Sequence, residues 1–320
     1  MPERALTLAV WGGLLAFALA AHAVGEAYWI TLATRAAVFA VAGVGLNLAL
    51  GTGGLVSFGH ALYFGIGGYA VGILASHAQS YAPLLGMIPG TQAMPVTWAV
   101  AVVAGGLAAL VVGLLTLRTS GAYFIMATLA FAQMAFYFAV AWSAYGGEDG
   151  LSIYVRGSFP GVETLAPLPF FLLCFAVLTA VLVLMATVMR SPYGLALDAQ
   201  RQSPARVETA GVPVFPLRLV ALVVSGMVTA WAGALFADLN RYVSPSMLSW
   251  QISGELIVFV VLGGLGRLIG PVVGACVFVG LEEALGGVSD HWLMWLGLML
   301  LGIVLFARGG IVGALARPRG

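Results

Sequence analysis

Ten stretches of mainly apolar residues follow one another along the chain, and most of them are long enough to cross a lipid bilayer as a helix. A spanning helix needs ~20 mainly apolar residues, because a backbone in hydrocarbon has to satisfy its polar groups internally. Of all residues, 62% are hydrophobic and 8% are charged, so a soluble core would not need this much apolar surface. The sequence therefore predicts an all-α polytopic membrane helical bundle of about ten transmembrane helices, in one domain over residues 1–320. The predicted spans are residues 5–24, 29–50, 55–77, 96–117, 122–142, 167–189, 217–238, 253–266, 269–286 and 291–307.

The distribution of arginine predicts how the bundle is oriented. With the N-terminus placed inside, only Arg156 and Arg241 fall outside, and Arg35 lies within the second span. Because basic residues are in excess on the cytoplasmic side of membrane proteins, both termini are expected in the cytoplasm and residues 143–166 outside. The arginines on the cytoplasmic side are then Arg4, Arg118, Arg190, Arg201, Arg206, Arg218, Arg267, Arg308, Arg317 and Arg319.

Residues 190–218 form the longest polar interruption of this apolar sequence. Ser191 followed by Pro192 is typical of a helix N-cap and first helical position, and Gly211 is typical of a helix end. A short cytoplasmic helix is therefore expected in this segment, which is called the coupling loop below. The alternative is a solvated connector without further function, as most polar loops are.

Glycine is concentrated in two stretches, residues 51–72 and 263–280. Small residues allow helices to pack closely in lipid, which explains many of the glycines. Their clustering also predicts Gly-rich broken helices, since irregular backbone at membrane depth survives only inside protein or beside an aqueous cavity.

The first of these stretches carries polar residues among glycines and aromatic rings. Because polar groups within a membrane mark a pathway more often than a lipid-facing surface, we expect a substrate pathway here. Asn47 has an alternative as a hydrogen-bonded clamp between helices. His60 has no second histidine or carboxylate nearby in sequence, so a structural role is favoured over proton transfer. Glu255 opens the apolar run at 253–266 and is either a helix cap or part of the pathway. The predicted pathway residues are Asn47, Ser57, Phe58, Gly59, His60, Phe64 and Glu255.

Several motifs that would give the chain its own chemistry are missing. The sequence has no lysine, no phosphate-binding loop, no His-Glu-x-x-His and no Gly-x-Ser-x-Gly. Cys174 and Cys276 lie in apolar runs and indicate neither a disulfide nor a metal site. A net charge of +1 gives no argument for nucleic-acid binding. A subunit of an externally powered transporter fits this pattern; a self-sufficient secondary carrier or facilitator, or a membrane enzyme, are the alternatives.

Seven pieces of the sequence, in order, resemble the permease subunits of branched-chain amino-acid type ABC importers, the LivM-like type more than the LivH-like type. The resemblance extends over essentially the whole chain. The pieces are residues 45–61, 146–152, 190–194, 209–212, 232–235, Glu255 with 263–275, and 305–313.

This resemblance implies a permease in the bacterial inner membrane that forms half of a translocation pathway for a small polar solute. Branched-chain or other neutral amino acids are the expected solutes, with urea, short amides or small carboxylates as alternatives. The implied partners are a homologous LivH-like permease, two ATPase subunits and a periplasmic solute-binding protein. The chain itself is expected to be no enzyme and to bind no cofactor or metal, because ATP and Mg²⁺ belong to the ATPase subunits.

The resemblance also implies that the coupling loop docks into a groove on an ATPase subunit. The Tyr193 ring is expected to form an outward knob. Leu195 and Asp198 stand where the family commonly has basic residues, and Pro204 interrupts the helix. The residues expected to couple to the ATPase are Ser191, Pro192, Tyr193, Gly194, Arg201, Arg206 and Gly211.

Overall fold

The computed structural model describes residues 3–80, 90–287, 291–306 and 309–316. These ranges contain thirteen α-helices: α1 (Glu3–Val24), α2 (Ala27–Asn47), α3 (His60–Ser80), α4 (Met94–Thr116), α5 (Ala122–Ala141), α6 (Pro167–Arg190), α7 (Pro192–Gln202), α8 (Pro204–Thr209), α9 (Val214–Asn240), α10 (Trp250–Gly263), α11 (Gly270–Gly286), α12 (Trp292–Phe306) and α13 (Gly310–Ala316). The shorter elements are a π-helical turn at Leu48–Thr52, 3₁₀ turns at Ser143–Tyr145, Gly147–Asp149 and Pro245–Leu248, and strands β1 (Leu151–Ser152) and β2 (Tyr242–Val243).

Each predicted span contains a helix, and the chain is a multi-pass helical membrane protein. Within the described residues, seven helices are long and apolar enough to cross a bilayer: α1, α2 with its π-helical turn, α3, α4, α5, α6 and α9. The prediction of about ten full spans is not confirmed, because α10, α11 and α12 have 14, 17 and 15 residues. At ~1.5 Å per residue, these three helices cover roughly 21–26 Å of a ~30 Å hydrocarbon core.

A glycine turn ends α10 three residues before its apolar run ends. The helix ends at Gly263, and Gly264 and Gly266 follow with φ angles of +129° and +74°, which L side chains rarely adopt. The apolar character continues through the turn, so hydropathy alone does not mark the helix end.

Helix α2 is the most enclosed of the seven long helices, and α1 is the least enclosed. Helix α2 packs against α6, α9, α10 and α11, while α3 packs against α4 and α9. The outer face of α4 exposes valine and leucine side chains, which suits contact with lipid.

Two glycines allow α3 and α9 to touch backbone to backbone. A Cβ on Gly67 would overlap the carbonyl oxygen of Ala230, and a Cβ on Gly233 would overlap that of Phe64. By contrast, a Cβ on Gly12 in α1 would meet nothing within 4 Å. The glycines therefore differ in role, and some hold the bundle together as small residues do in lipid.

The predicted outer segment 143–166 is tied to the end of α9. Strands β1 and β2 pair antiparallel, and the Arg156 guanidinium donates hydrogen bonds to the carbonyl oxygens of Asp238, Leu239 and Thr164 at 2.9, 3.2 and 2.7 Å. The prediction that both termini are cytoplasmic involves residues 1–2 and 317–320, which lie outside the described residues, as do Arg308, Arg317 and Arg319.

Candidate functional site

The chain between α2 and α3 is not helical, and α3 begins within the bundle. After the π-helical turn, residues 53–59 form turns and extended backbone, and α3 starts at His60. His60 Nε2 lies 2.8 Å from the Ser225 hydroxyl, and Ser225 stands near the middle of the 27-residue helix α9. The broken helix predicted for the first glycine-rich stretch therefore occurs. The break ends at the start of α3, which lies level with the middle of α9.

Hydroxyl groups from two other helices satisfy the broken backbone. The Thr128 hydroxyl of α5 accepts a hydrogen bond from the Phe58 N–H at 3.2 Å. The Ser253 hydroxyl of α10 donates to the Phe58 carbonyl at 2.7 Å and accepts from the Ala61 N–H at 2.8 Å. Ser253 thereby caps the first turn of α3 from a distant part of the chain. Sequence reasoning missed these hydroxyls, whose only signal was a small polar residue within an apolar run.

The predicted pathway residues of this stretch are mostly buried within the chain. Ser57, His60 and Phe64 are 0% exposed, while Phe58 is partly exposed. Gly59 is packed tightly, because a Cβ there would lie 3.2 Å from Thr128 Cβ. A bulky side chain at position 59 would thus disturb packing as well as any pathway. The pathway role of these residues stays a prediction, and the contact of His60 with Ser225 fits the structural role favoured for the histidine.

Asn47 joins the two glycine-rich stretches. Its side-chain nitrogen donates to the Arg267 carbonyl, and its side-chain oxygen accepts from the Gly266 N–H, both at 3.0 Å. A Cβ on Gly51 would lie 2.5 Å from the Gly266 nitrogen, so the backbones of the two breaks touch. These contacts fit the clamp interpretation of Asn47. They also place both predicted breaks in one region.

Glu255 lies in a group of charged residues where α2, α10 and α11 meet. It is partly exposed and close enough to Arg35 and Glu282 to interact electrostatically with both. Arg35 Nη2 donates to both carboxylate oxygens of Glu282 at 2.9 Å, and the Tyr28 hydroxyl is hydrogen-bonded to Glu283. Partly exposed charges are costly against lipid, so this face suits water or another protein. The sequence did not indicate that Arg35 pairs with Glu282, because the two residues are 247 positions apart.

The coupling loop folds as two short helices with the predicted ends. The Ser191 hydroxyl accepts from the Gly194 N–H at 3.3 Å, and Pro192 is the first residue of α7. Pro204 separates α7 from α8, and Gly211 follows α8 with a φ angle of +86°. The helix, its cap and its interruption were all predictable from the local sequence.

Tyr193 is directed into the chain rather than outward. Its hydroxyl donates to the Leu217 carbonyl at 2.8 Å, and burial raises the pKa of Tyr193, which keeps the phenol protonated as a donor. The expectation of an outward aromatic knob is wrong, because the ring fixes α7 to α9. The exposed surface of the coupling loop includes Leu195, which is 67% exposed, and Arg206. Both residues help to line a groove of about 450 Å³ between α7 and α8. Arg201 forms a half-exposed ion pair with Asp198 at 2.9 Å.

Gln200 attaches the coupling loop to the break after α2. Its side chain is 0% exposed; Nε2 donates to the Gly53 carbonyl at 2.7 Å, and Oε1 accepts from Arg218 Nε at 2.8 Å. A cavity of about 170 Å³ lies beside these contacts and is lined in part by Gly54, Ser120 and Arg201. Nothing in the polar sequence around Gln200 distinguished it from its exposed neighbours. Among the described residues, no three His, Cys, Asp or Glu side chains form a possible metal site.

Comparison with known proteins identifies relatives of this chain. The high-affinity branched-chain amino acid transport system permease protein LivM of Escherichia coli (strain K12) is 24% identical, with 91% of this chain and 71% of LivM covered. LivM of Salmonella typhimurium (strain LT2) gives the same values. No solved structure matches significantly. The family model described as branched-chain amino acid transport system / permease component matches residues 28–308. The resemblance inferred from the sequence is confirmed, and the chain belongs to the permease components of branched-chain amino acid transport systems.

Proposed function

We propose that this chain is the permease subunit of an ATP-driven importer and forms, as a single membrane domain, half of a pathway through the bacterial inner membrane. The observation that supports it most is the attachment of the coupling loop, through Gln200, to the irregular segment 53–59. A loop that only connected two spans would not need a buried polar side chain holding the break of another helix. A self-sufficient secondary carrier remains the alternative.

The proposed solute is a branched-chain or other neutral amino acid, since the LivM relatives are named for branched-chain amino acid transport. Urea, short amides and small carboxylates are the alternatives. The group around Glu255 favours a solute with an ammonium group. It combines three carboxylates, Glu255, Glu282 and Glu283, with the single guanidinium of Arg35. Such a group repels a solute that carries only a negative charge.

The proposed partners are a homologous LivH-like permease, two ATPase subunits that hold ATP and Mg²⁺, and a periplasmic solute-binding protein. The chain itself binds no cofactor and catalyses no reaction in this scheme. The exposed side chains of α5 support a contact of this helix with the second permease. The helix exposes Tyr123, Met126, Met134 and Tyr137, whereas the outer face of α4 is aliphatic. These polarisable side chains suit a protein contact or a pathway more than lipid.

A cysteine-labelling experiment tests both the orientation and the docking surface. In a variant lacking Cys174 and Cys276, Ala205→Cys places a thiol on the exposed surface of α8. An impermeant maleimide should label it only from the cytoplasmic side, and bound ATPase should prevent labelling. Glu163→Cys, on the exposed outer loop, is the matched control and should react only from outside, with or without ATPase. Labelling of position 205 from outside would contradict the orientation, and unchanged labelling with ATPase bound would contradict the docking surface.

A further inference from the structure

The Gln200 side chain lies between three separate parts of the chain. It belongs to α7 of the coupling loop, donates to the backbone of Gly53 and accepts from Arg218 at the start of α9. Both bonds are short, at 2.7 and 2.8 Å, and the side chain is fully buried. A buried amide with both ends bonded holds its partners in one fixed arrangement, because breaking either bond leaves a polar group unsatisfied.

The Gly53 carbonyl is the point at which this contact reaches the broken helix. Gly53 directly follows the π-helical turn and begins the irregular residues that lead to His60. The neighbouring Gly54, with a φ angle of +70°, packs against the stem of Arg201, and a Cβ there would lie 2.7 Å from Arg201 Cγ. Two successive residues of α7 therefore touch two successive residues of the break.

The bond to Arg218 also connects Gln200 to the start of α3, in this case through α9. Arg218 lies in the first turns of α9, and Ser225 of the same helix contacts His60 at 2.8 Å. Residues 53–59 and the first half of α9 thus both run from Gln200 to the start of α3. A displacement of α7 would move these two segments together, since each is held by one end of the same amide.

We propose that Gln200 is a positioning residue that transmits motion of the coupling loop to the break before α3. This inference rests on the proposed function. The residue touches neither solute nor ATP in this scheme. Its loss should leave the ATPase bound and hydrolysing ATP while import falls, which is the signature of uncoupling and differs from a general loss of folded protein.

The test uses the complete importer in proteoliposomes and measures solute imported per ATP hydrolysed, with [³H]leucine as the probe. Gln200→Met keeps the length and volume of the side chain but removes both hydrogen bonds. We expect the ratio to fall roughly fivefold, the factor that corresponds to one typical net hydrogen bond. The amount of folded complex and the co-purified ATPase should stay unchanged.

A second variant separates the two bonds and guards against a folding defect. Gln200→Glu retains an acceptor for Arg218 but lacks the donor to the Gly53 carbonyl. It should lower the ratio as Gln200→Met does, because the contact with the break is lost in both. Gln251→Leu, an exposed glutamine on α10, is the matched control and should keep the normal ratio.

The outcomes distinguish this inference from the proposed function. A normal ratio in both Gln200 variants overturns the positioning role and leaves the importer function intact. A lowered ratio in the Met variant but not in the Glu variant overturns the role of the Gly53 contact. Absence of ATP-driven import by the unsubstituted complex, for any solute tried, overturns the proposed function and this inference with it.

Discussion

Replacing Gly233 with alanine should reduce the yield of folded permease by more than about tenfold. The added Cβ would overlap the carbonyl oxygen of Phe64 in α3, which is backbone and cannot rotate away as a flexible side chain would. Helices α3 and α9 would then have to separate along their contact, and the hydrogen bond between His60 and Ser225 lies on that contact. The measurement is size-exclusion chromatography of the detergent-solubilised permease carrying a fluorescent tag.

The matched control for this substitution is Gly280→Ala in α11, where a Cβ would meet nothing within 4 Å. It should give the normal elution profile and yield. If Gly233→Ala gave the same profile as Gly280→Ala, the close approach of α3 and α9 described above would not exist in the membrane.

Arg156→Leu should lower the melting temperature of the purified complex strongly. The substitution removes donors from three backbone carbonyls and the guanidinium that lies 4.2 Å from the centre of the Phe170 ring. It also removes a cation that interacts electrostatically with Asp238, a carboxylate that is 1% exposed. Each buried carbonyl that loses its donor typically costs ~1–3 kcal/mol.

Two further variants show whether the shape and the charge of Arg156 are both needed. Arg156→Lys should restore little, since one compact ammonium group cannot reach three carbonyls as the planar guanidinium does. Adding Asp238→Asn to Arg156→Leu should recover part of the loss, because the amide oxygen can still accept the 2.8 Å hydrogen bond from Trp98 without a buried charge. A Lys variant as stable as the natural protein would refute this account of the outer loop.

Local sequence predicted the elements of the fold well. Apolar runs predicted where the helices lie, and Ser191, Pro192 and Gly211 predicted the ends of the coupling helices, because caps and turns depend on neighbouring residues. The count of about ten full spans is not confirmed, since α10 has only 14 residues and ends where Gly264 and Gly266 turn the backbone. Apolar composition indicates whether a segment lies in lipid or in water, while the length of a helix depends on the backbone conformation.

The candidate site was less predictable, since its contacts join distant parts of the chain. His60 and Ser225 are 165 positions apart, and Gln200 and Gly53 are 147 apart. No local pattern indicates which polar residue of an apolar helix meets which other. Tyr193 shows the same limit, because an aromatic residue beside a helix cap can face a partner or its own bundle. The family resemblance gave the function class but not these pairings.

Reconstituted uptake tests the central claim most directly. The chain should be placed in proteoliposomes alone, with its second permease, and with the complete set of ATPase subunits and binding protein. We expect accumulation of labelled leucine only with the complete set and only when ATP is present on the ATPase side. Accumulation against a gradient by this chain without the ATPase subunits would contradict the account and favour a self-sufficient carrier.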